Sequence, residues 1–353
     1  MNSQSDLNEF RNTFNEILCA ICPDHETHEL AEVYSWIRES ILYNVPHGKF
    51  SRGLTVVSTY RAIVEQQGKT PTCDEIKLAS ALGWSLEFLH SAYLITDDMM
   101  DQSITRRNKP CWYKVEHVGL RSCNDAKVLE QEVYHIIEIF FHDKPCYGKL
   151  NDLLHEAARY IVFGQCMDMT SNPTGKRPKF KLFTDHRYAS IAKYKTSLYS
   201  FVLPVRIGTY TMYMSSYDSP DAHKMAEEML IKIGHLYQLQ DDYFDCFGDP
   251  DITGKIGRDI QEGKSSWPIV TAFKLCDQDQ RETLEKHYCI DEDTSVAIVK
   301  DIFTKLSIKE LYLKEETEYY KNLCKSINDL KLKNQLLANI CKQFLDMIYK
   351  RKN

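Results

Sequence analysis

The sequence predicts an all-α fold, and two observations support that prediction. The chain of 353 residues contains only 14 glycines and 11 prolines, which cluster in a few segments and leave long stretches without helix breakers. Apolar residues recur at helical spacing in two extended segments. No shift in composition marks a place to divide the chain, so we expect one domain spanning residues 1–353.

The two extended segments are expected to be long helices. The first runs from Cys73 to Met100 and contains one glycine, Gly83. Thr72 or Asp74 is placed to cap its start, because a side-chain oxygen there can accept from an unpaired backbone N–H. The second helix is predicted from Ala226 to Phe247. Both end in groups of acids.

Three basic segments separate or follow the predicted helices. They are the turn region SNPTGKRPKF, the long loop GDPDITGKIGRDIQEGKSS and the terminal YKRKN. Loops on a helical scaffold often carry binding residues. These segments are therefore candidates for contact with anions.

Composition excludes several classes of protein. A content of 43% hydrophobic and 27% charged residues is that of a folded globular chain, and the net charge of -6 argues against a nucleic-acid partner. Twelve scattered cysteines without a signal-like segment indicate a reducing, cytoplasmic compartment. No apolar run approaches the ~18 to 20 residues of a membrane span, and the polar opening segment is unlike a targeting peptide.

One apparent zinc pattern is rejected on its spacing. Cys19, Cys22, His25 and His28 follow one another at intervals of three residues. Zinc sites usually place about a dozen or more residues between a cysteine pair and its partner pair, and Pro23 interrupts this stretch. We expect no zinc site here.

The acids at the helix ends form two copies of the pattern DDxxD. The first aspartate motif is Asp97, Asp98 and Asp101; the second is Asp241, Asp242 and Asp245. On a helix, positions i and i+4 share a face while i+1 lies about 100° away. Magnesium prefers such oxygen ligands and completes its shell with water and phosphate. We expect the two motifs to bind a diphosphate through magnesium ions.

A single DDxxD is more often a solvated helix end than a metal site. Two copies arise by chance much less often. Acids near a helix C-terminus also oppose the helix dipole and repel one another, so bound metal would remove a cost in stability.

The two motifs lie within LITDDMMDQSITRRNKPCWY and YQLQDDYFDCFGDPDITGKIGRDIQEGKSSW, and the chain also contains YNVPHGKFSRGLTVV, GQCMDM, YKTSLYSFVLP and a terminal IYKRK. In this order the segments resemble eukaryotic farnesyl diphosphate synthases nearly end to end. The resemblance implies a homodimer, each chain an isoprenoid synthase bundle around a central cavity. It implies three magnesium ions per site and condensation of isopentenyl diphosphate with dimethylallyl and geranyl diphosphate. Ionisation, condensation and proton elimination would give farnesyl diphosphate.

The resemblance also assigns roles to individual residues. The two aspartate motifs would bind magnesium. The allylic diphosphate would be bound by Arg106, Lys195, Lys255 and Lys264. The path of the allylic cation would be lined by Gln165, Asp168, Thr196 and Gln238, and catalysis would involve Lys195, Thr196, Gln238 and Lys255. The pocket for isopentenyl diphosphate would comprise Gly48, Lys49, Arg52, His90 and Arg107.

Several residues depart from the family pattern close to these positions. His47 and Ser51 replace a glycine and an asparagine, Tyr237 stands where phenylalanine is common, and His90 replaces the usual eukaryotic glutamine. Ala92 and Tyr93 replace a Phe-Phe pair before the first aspartate motif. Lying about one helical turn below that motif, they are expected to limit product length. We expect farnesyl diphosphate with some geranylgeranyl diphosphate.

These departures leave two other functions open. A terpene synthase derived from this family would ionise farnesyl diphosphate and convert it to a sesquiterpene without a second substrate. A non-enzymatic binder of prenyl diphosphates is a third class. The retained Lys49, Arg52 and Arg107 favour condensation, and the intact aspartate motifs favour an enzyme.

Overall fold

The computed structural model describes residues 4–23, 29–173, 176–210, 220–253 and 257–351. In these ranges the chain is almost entirely helical, which confirms the all-α prediction. The α-helices are α1 (Gln4–Ile21), α2 (Ala31–Asn44), α3 (Ser51–Gln66), α4 (Cys73–Met100), α5 (Ser122–Phe141), α6 (Tyr147–Ser171), α7 (Asp185–Ile191), α8 (Leu203–Tyr210), α9 (Pro220–Phe247), α10 (Pro250–Thr253), α11 (Asp259–Glu262), α12 (Trp267–Leu275), α13 (Gln278–His287), α14 (Asp293–Lys305), α15 (Ile308–Lys331) and α16 (Gln335–Ile348).

Six further elements are short or irregular. Single-turn 3-10 helices occur at Trp112–Lys114, Gly119–Arg121 and Phe180–Leu182, and a π-helix spans Ala192–Val202. Strands β1 (Thr105–Arg106) and β2 (Lys109–Pro110) form a two-residue antiparallel pair.

The chain divides into two compact units. Unit 1 comprises residues 1–158 and 203–218, and unit 2 comprises residues 159–202 and 219–353. The expectation of one domain over the whole chain stays a prediction, and each unit is described separately.

Helix α4 is the buried centre of unit 1, and its observed bounds match the predicted ones. Thr72 caps it in a capping box: its Oγ1 accepts from the Glu75 N–H, and the Glu75 carboxylate accepts from the Thr72 N–H. Gly83 permits a close crossing with α3, because a Cβ there would lie 2.6 Å from the carbonyl oxygen of Gly53. The crossing holds the α3 residues close to those of α4.

Helix α9 is the corresponding element of unit 2. It begins at Pro220, earlier than the predicted Ala226, and ends at Phe247 as predicted. Met229, Ile233 and Leu236 are buried on it at helical spacing. The predicted long loop after α9 contains the short helices α10 and α11. A stacked Tyr243–Tyr312 pair, with ring centroids 3.7 Å apart, fixes α9 against α15.

No disulfide joins any of the twelve cysteines, all of which lie in the described ranges. Of the rejected zinc pattern, Cys19 is exposed and Cys22 is buried, whereas His25 and His28 lie outside the described residues. Every helix in the described part of the chain is too short or too polar to cross a lipid bilayer.

Candidate active site

The first aspartate motif lies at the C-terminal end of α4, and its middle residue is buried. Asp98 is only 3% exposed, and its carboxylate accepts from Nη2 of Arg106 at 2.5 Å and from Nε at 3.1 Å. Burial works against the charged Arg106 guanidinium, but Asp98 outweighs it and raises the pKa of Arg106. Asp98 is therefore an ion-pair partner that orients Arg106.

The outer acids of this motif are more accessible than Asp98. Asp97 and Asp101 are both half-buried. The Asp101 N–H donates to the Asp97 carbonyl at 2.8 Å, which continues the helical geometry to the last acid. The i and i+4 carboxylates thus start from one helix face, as the spacing predicts.

A cluster of cations adjoins α4 in unit 1. Gly48 has φ +103°, and a Cβ at that position would lie 3.2–3.3 Å from the Arg107 guanidinium. Arg107 donates to the Asn44 carbonyl at 2.9 Å. Burial, with Arg106 and Arg52 nearby, lowers the pKa of Arg107. The structure thus brings together two residues predicted to bind isopentenyl diphosphate, and glycine is required at position 48 for this approach.

His90 and a residue that the sequence did not single out, Glu87, lie among these cations. Burial first, and then Arg52 and Arg107, lower the pKa of His90 well below its ordinary value, so the ring is neutral at pH 7. Glu87 is buried and accepts from the Gly53 N–H at 2.9 Å. Burial raises its pKa, although Arg52 opposes the shift. Glu87 lies three residues before His90, a spacing that puts both on one face of the helix. This spacing is the sequence signal that could have identified Glu87.

Ala92 and Tyr93 differ in their surroundings. Ala92 is buried. The hydroxyl of Tyr93 donates to the Ala158 carbonyl at 3.1 Å and lies 3.3 Å from a Glu130 carboxylate oxygen. These two contacts fix the Tyr93 ring against α5 and α6, which the phenylalanine usual at this position cannot do.

In unit 2, a buried carboxylate organises two of the predicted lysines. Asp168 lies on α6, and one of its oxygens is 2.9 Å from Nζ of Lys195 and 3.5 Å from Nζ of Lys264. Burial opposes its charge, but the two lysines hold the pKa of Asp168 far below its usual range. Both ammonium groups therefore lie next to the same Asp168 oxygen.

The π-helix places Lys195 and Thr196. A π-helix widens the backbone by one residue per turn and often marks functional sites. Gly164 of α6 lies against it so closely that a Cβ would be 2.3 Å from the Lys195 backbone nitrogen. Neither the π-helix nor this contact could be read from the hydrophobic pattern.

A chain of hydrogen bonds leads from Thr196 to the second aspartate motif. The Thr196 hydroxyl donates to the Gln238 side chain at 2.8 Å, and the Gln238 amide donates to Asp242 at 2.8 Å. The other Asp242 oxygen accepts from the Trp267 N–H at 2.8 Å. Burial raises the pKa of Asp242 to about 7, with Asp241 adding to the shift. Like Asp98, Asp242 is buried and already hydrogen-bonded.

The outer acids of the second motif differ from each other. Asp245 accepts from the Asp259 N–H at 2.8 Å, and Gly257 approaches the Asp245 carbonyl so closely that no side chain could replace its hydrogen. The side chain of Asp241 is 43% exposed and lies 3.8 Å from the Arg351 guanidinium. Asp241 is therefore more accessible than the buried Asp242.

The carboxylate oxygens of the two aspartate motifs are the kind of ligand that magnesium prefers. Within the described ranges, no three or more His, Cys, Asp or Glu side chains converge to form a ready-made metal cage. Magnesium does not require one, since it usually takes one or two carboxylates and keeps water or phosphate in its other positions. The half-buried carboxylates of Asp97 and Asp101 and the partly exposed carboxylate of Asp241 are compatible with this mode of binding.

Two predicted site residues remain, Lys255 and Gln165. Lys255 lies outside the described residues. Gln165 lies one residue after Gly164 on α6, within unit 2.

Comparisons with known proteins agree on one family. The model of the polyprenyl synthetase family matches residues 34–306. Farnesyl pyrophosphate synthase of Gallus gallus is 37% identical over 349 residues, 99% of this chain and 93% of that protein. The enzyme of that name from Saccharomyces cerevisiae is 39% identical over 324 residues, 91% of this chain and 90% of that protein.

Solved structures give the same result. The farnesyl diphosphate synthase of T. brucei, solved in complex with risedronate, is similar with a TM-score of 0.89 and 27% identity. The match covers 99% of this chain and 100% of that one. A second structure of the same enzyme, with the bisphosphonate BPH-722, has a TM-score of 0.90.

Proposed function

This chain belongs to the polyprenyl synthetase family, and on that premise we propose that it condenses isopentenyl diphosphate with dimethylallyl and geranyl diphosphate to give farnesyl diphosphate. The observation that carries this assignment is the joint presence of two aspartate motifs and a separate cluster of cations around Arg107. An enzyme that only ionised one substrate would have no use for the second diphosphate pocket.

Magnesium is the proposed cofactor, with three ions per active site held by the two aspartate motifs. The surroundings of the acids favour Asp97, Asp101 and Asp241 as direct ligands. Asp98 and Asp242 have both carboxylate oxygens hydrogen-bonded within the protein, so their role is to orient neighbouring groups. When bound, magnesium neutralises charge that develops on the departing diphosphate.

Lysine and arginine side chains supply the rest of the positive charge that stabilises the departing diphosphate. Lys195 and Lys264, with Arg106 and Lys255, bind the allylic diphosphate in this proposal. Asp168 forms ion pairs with the first two lysines and so directs both to one place. Fixed cations around the leaving group stabilise the transition state more than the ground state, because negative charge increases there as the C–O bond breaks.

The allylic cation then needs an environment that stabilises it without reacting with it. The oxygens of Thr196, Gln238 and Gln165 provide dipoles for this purpose. The hydrogen bond from Thr196 to Gln238 fixes both groups before the substrate arrives. The double bond of isopentenyl diphosphate attacks the cation, and the departed diphosphate removes the proton, so no side-chain base is assigned.

Isopentenyl diphosphate is proposed to bind at Gly48, Lys49, Arg52, His90 and Arg107. Guanidinium groups bind phosphate oxygens in a two-pronged manner, and neutral His90 can donate one N–H. The resemblance further supports a cytoplasmic homodimer as the working form.

The decisive experiment is an incubation of the purified protein with Mg²⁺ and dimethylallyl or geranyl diphosphate, with and without isopentenyl diphosphate. Mass spectrometry should detect farnesyl diphosphate only when both substrates are present. Conversion of farnesyl diphosphate alone to a hydrocarbon or alcohol, without condensation, would instead establish a terpene synthase.

A further inference from the structure

Asp125 is a buried carboxylate of α5 that the proposed reaction does not use. It is 2% exposed. Trp36 donates from its Nε1 to one Asp125 oxygen at 2.8 Å, and Trp112 donates from its Nε1 to the other at 2.8 Å. Hydrogen bonds to a carboxylate are shorter and stronger than those between neutral groups. One side chain of α5 thus joins α2, which carries Trp36, to the 3-10 helix that begins at Trp112, all within unit 1.

The first connection fixes the end of α2. Trp36 and Tyr43 are seven residues apart, about two helical turns, so they share one face of α2. The ring of Tyr43 packs on Trp112, with centroids 4.8 Å apart, and its hydroxyl donates to the Pro110 carbonyl at 2.9 Å. The end of α2 therefore lies against the segment that contains Pro110 and Trp112.

The second connection fixes the β1–β2 hairpin, residues 105–110. Trp112 is buried two residues after it, and the Cys111 N–H donates to the Ile104 carbonyl at 2.9 Å, which closes the base of the hairpin. Arg107, in the turn of the hairpin, donates to the carbonyl of Asn44 at 2.9 Å. Asn44 is the last residue of α2. Because the donor lies on the hairpin and the acceptor on α2, this hydrogen bond requires both elements to keep their positions.

Other side chains enclose the two tryptophans at the surface. The ring of His117 is nearly perpendicular to both indoles, with centroids 5.9 and 6.3 Å away, and its Nε2 lies 2.8 Å from a Glu39 carboxylate oxygen. The Arg121 guanidinium lies 5.2 Å from the Trp36 ring centroid. His117 and Arg121 are exposed, whereas Asp125 is the buried point at which the two indoles meet.

Stability alone would not require a carboxylate at this position. Burying a carboxylate costs free energy, and a well-packed apolar side chain would often stabilise such a junction as well or better. A carboxylate differs from an apolar group in that its two oxygens accept from donors at defined positions. Asp125 is therefore suited to hold two elements in one relative position.

We propose that Asp125 is a positioning residue that keeps Arg107 in place for substrate binding. Acting through Trp36 and Trp112, it holds the end of α2 and the hairpin so that Arg107 stays anchored on the Asn44 carbonyl. The proposal rests on the proposed function, in which Arg107 binds isopentenyl diphosphate. Asp125 and Trp36 lie outside the aspartate motifs and outside the segments that resemble the family, so neither could be assigned a role from the sequence.

Hydrogen exchange of the full chain, without substrates, tests the positioning directly. Asp125→Asn keeps the size of the side chain but leaves one acceptor oxygen, and Trp112→Phe removes one indole donor. In both variants the amides of residues 104–113 should exchange about tenfold faster, the effect of losing about one hydrogen bond. Trp84→Phe is the matched control, because buried Trp84 of the same unit donates its Nε1 to the Phe10 carbonyl at 2.7 Å. It should lower the melting temperature by a similar amount without faster exchange in residues 104–113.

Calorimetric titration with isopentenyl diphosphate tests the consequence for the site. The dissociation constant should rise about fivefold in Asp125→Asn and in Trp36→Phe, and it should stay at the wild-type value in Trp84→Phe. In turnover assays KM for isopentenyl diphosphate should rise, while kcat and KM for the allylic substrate should be nearly unchanged, because Asp98 holds Arg106 independently.

Two results would overturn the proposal. The first is a lower melting temperature in all these variants with exchange and binding unchanged, since Asp125 would then serve stability alone. The second is faster exchange with unchanged binding, since the hairpin would then move without consequence for the site.

Failure of this proposal can be told apart from failure of the proposed function. Faster exchange and weaker binding in Asp125→Asn, in a protein that forms no farnesyl diphosphate, would uphold the positioning role and reject the condensation reaction. Farnesyl diphosphate synthesis with unchanged exchange and affinity in Asp125→Asn would do the reverse.

Discussion

The guanidinium carbon of Arg351 lies 3.8 Å from the ring centroid of Tyr237, and Arg351 also donates to the Gln240 side chain and the Tyr237 carbonyl. Gln240 is fully buried and donates in turn to Glu316 at 2.7 Å. Asp241 is the next residue along α9. The C-terminal segment is thereby fixed beside the second aspartate motif.

Replacing Arg351 should therefore destabilise unit 2. Arg351→Ala is expected to lower the free energy of unfolding by about 2 kcal/mol, since it removes a cation–π contact and the hydrogen bond to the side-chain oxygen of buried Gln240. Arg281→Ala is the control: Arg281 lies 3.9 Å from the Phe273 ring but is 32% exposed. It should cost under about 1 kcal/mol. Urea denaturation measures both, and equal losses would contradict the prediction.

Asp97 and Asp241 should matter for turnover more than for folding. Asp97→Ala and Asp241→Ala are expected to lower kcat by about a thousandfold or more, because each removes a proposed metal ligand and several kcal/mol of charge stabilisation. Thermal melting should be nearly unchanged. Asp301→Ala, at an exposed helix position beside Lys305, serves as the control and should retain full activity. Near-normal activity in either active-site variant would reject the assignment.

Arg107→Ala should affect the two substrates unequally. The variant loses a guanidinium group that can bind phosphate through two hydrogen bonds. This loss is expected to raise KM for isopentenyl diphosphate about tenfold or more and to leave KM for the allylic substrate nearly unchanged. Steady-state kinetics with each substrate varied in turn provides the measurement. Equal increases in both constants would mean that Arg107 does not belong to one site.

Product length should respond to positions 92 and 93. Ala92→Phe is expected to shorten the product distribution by filling space, and Tyr93→Ser should lengthen it by removing the ring together with its contacts to Ala158 and Glu130. Tyr93→Phe keeps the ring and is the matched control, with a distribution close to that of the wild type. Mass spectrometry at saturating isopentenyl diphosphate gives the chain lengths. Unchanged products in the first two variants would place the limit elsewhere.

Acid should destabilise the protein partly through His235. Burial lowers the pKa of His235 from 6.5 to about 4, so the unfolded chain binds a proton there that the folded chain does not. Its contribution to stability is present at pH 7 and is lost as the pH falls from about 6.5 towards 4. His235→Phe should reduce the loss between pH 7 and 5 by about 1–2 kcal/mol. His142→Gln, at an exposed position, should leave the loss unchanged in urea titrations.

The sequence by itself determined the features that depend on local spacing. The bounds of α4, its Thr72 cap and the placement of both aspartate motifs at helix ends follow from residues close together in the chain. Such features need only helical geometry and the satisfaction of end N–H groups. Family membership could also be predicted from the sequence, because the motifs typical of the family are contiguous segments.

Only the tertiary structure decided how the aspartates of the two motifs differ from one another. Asp98 and Asp242 are buried and hydrogen-bonded, whereas Asp97 is half-buried and the side chain of Asp241 is 43% exposed, and no pattern within DDxxD distinguishes them. The same is true of Arg351, whose partners on α9 are about a hundred residues away in the chain. Burial and charge pairing depend on which distant segments meet, so the sequence supplies the carboxylates and the fold determines what each of them can bind.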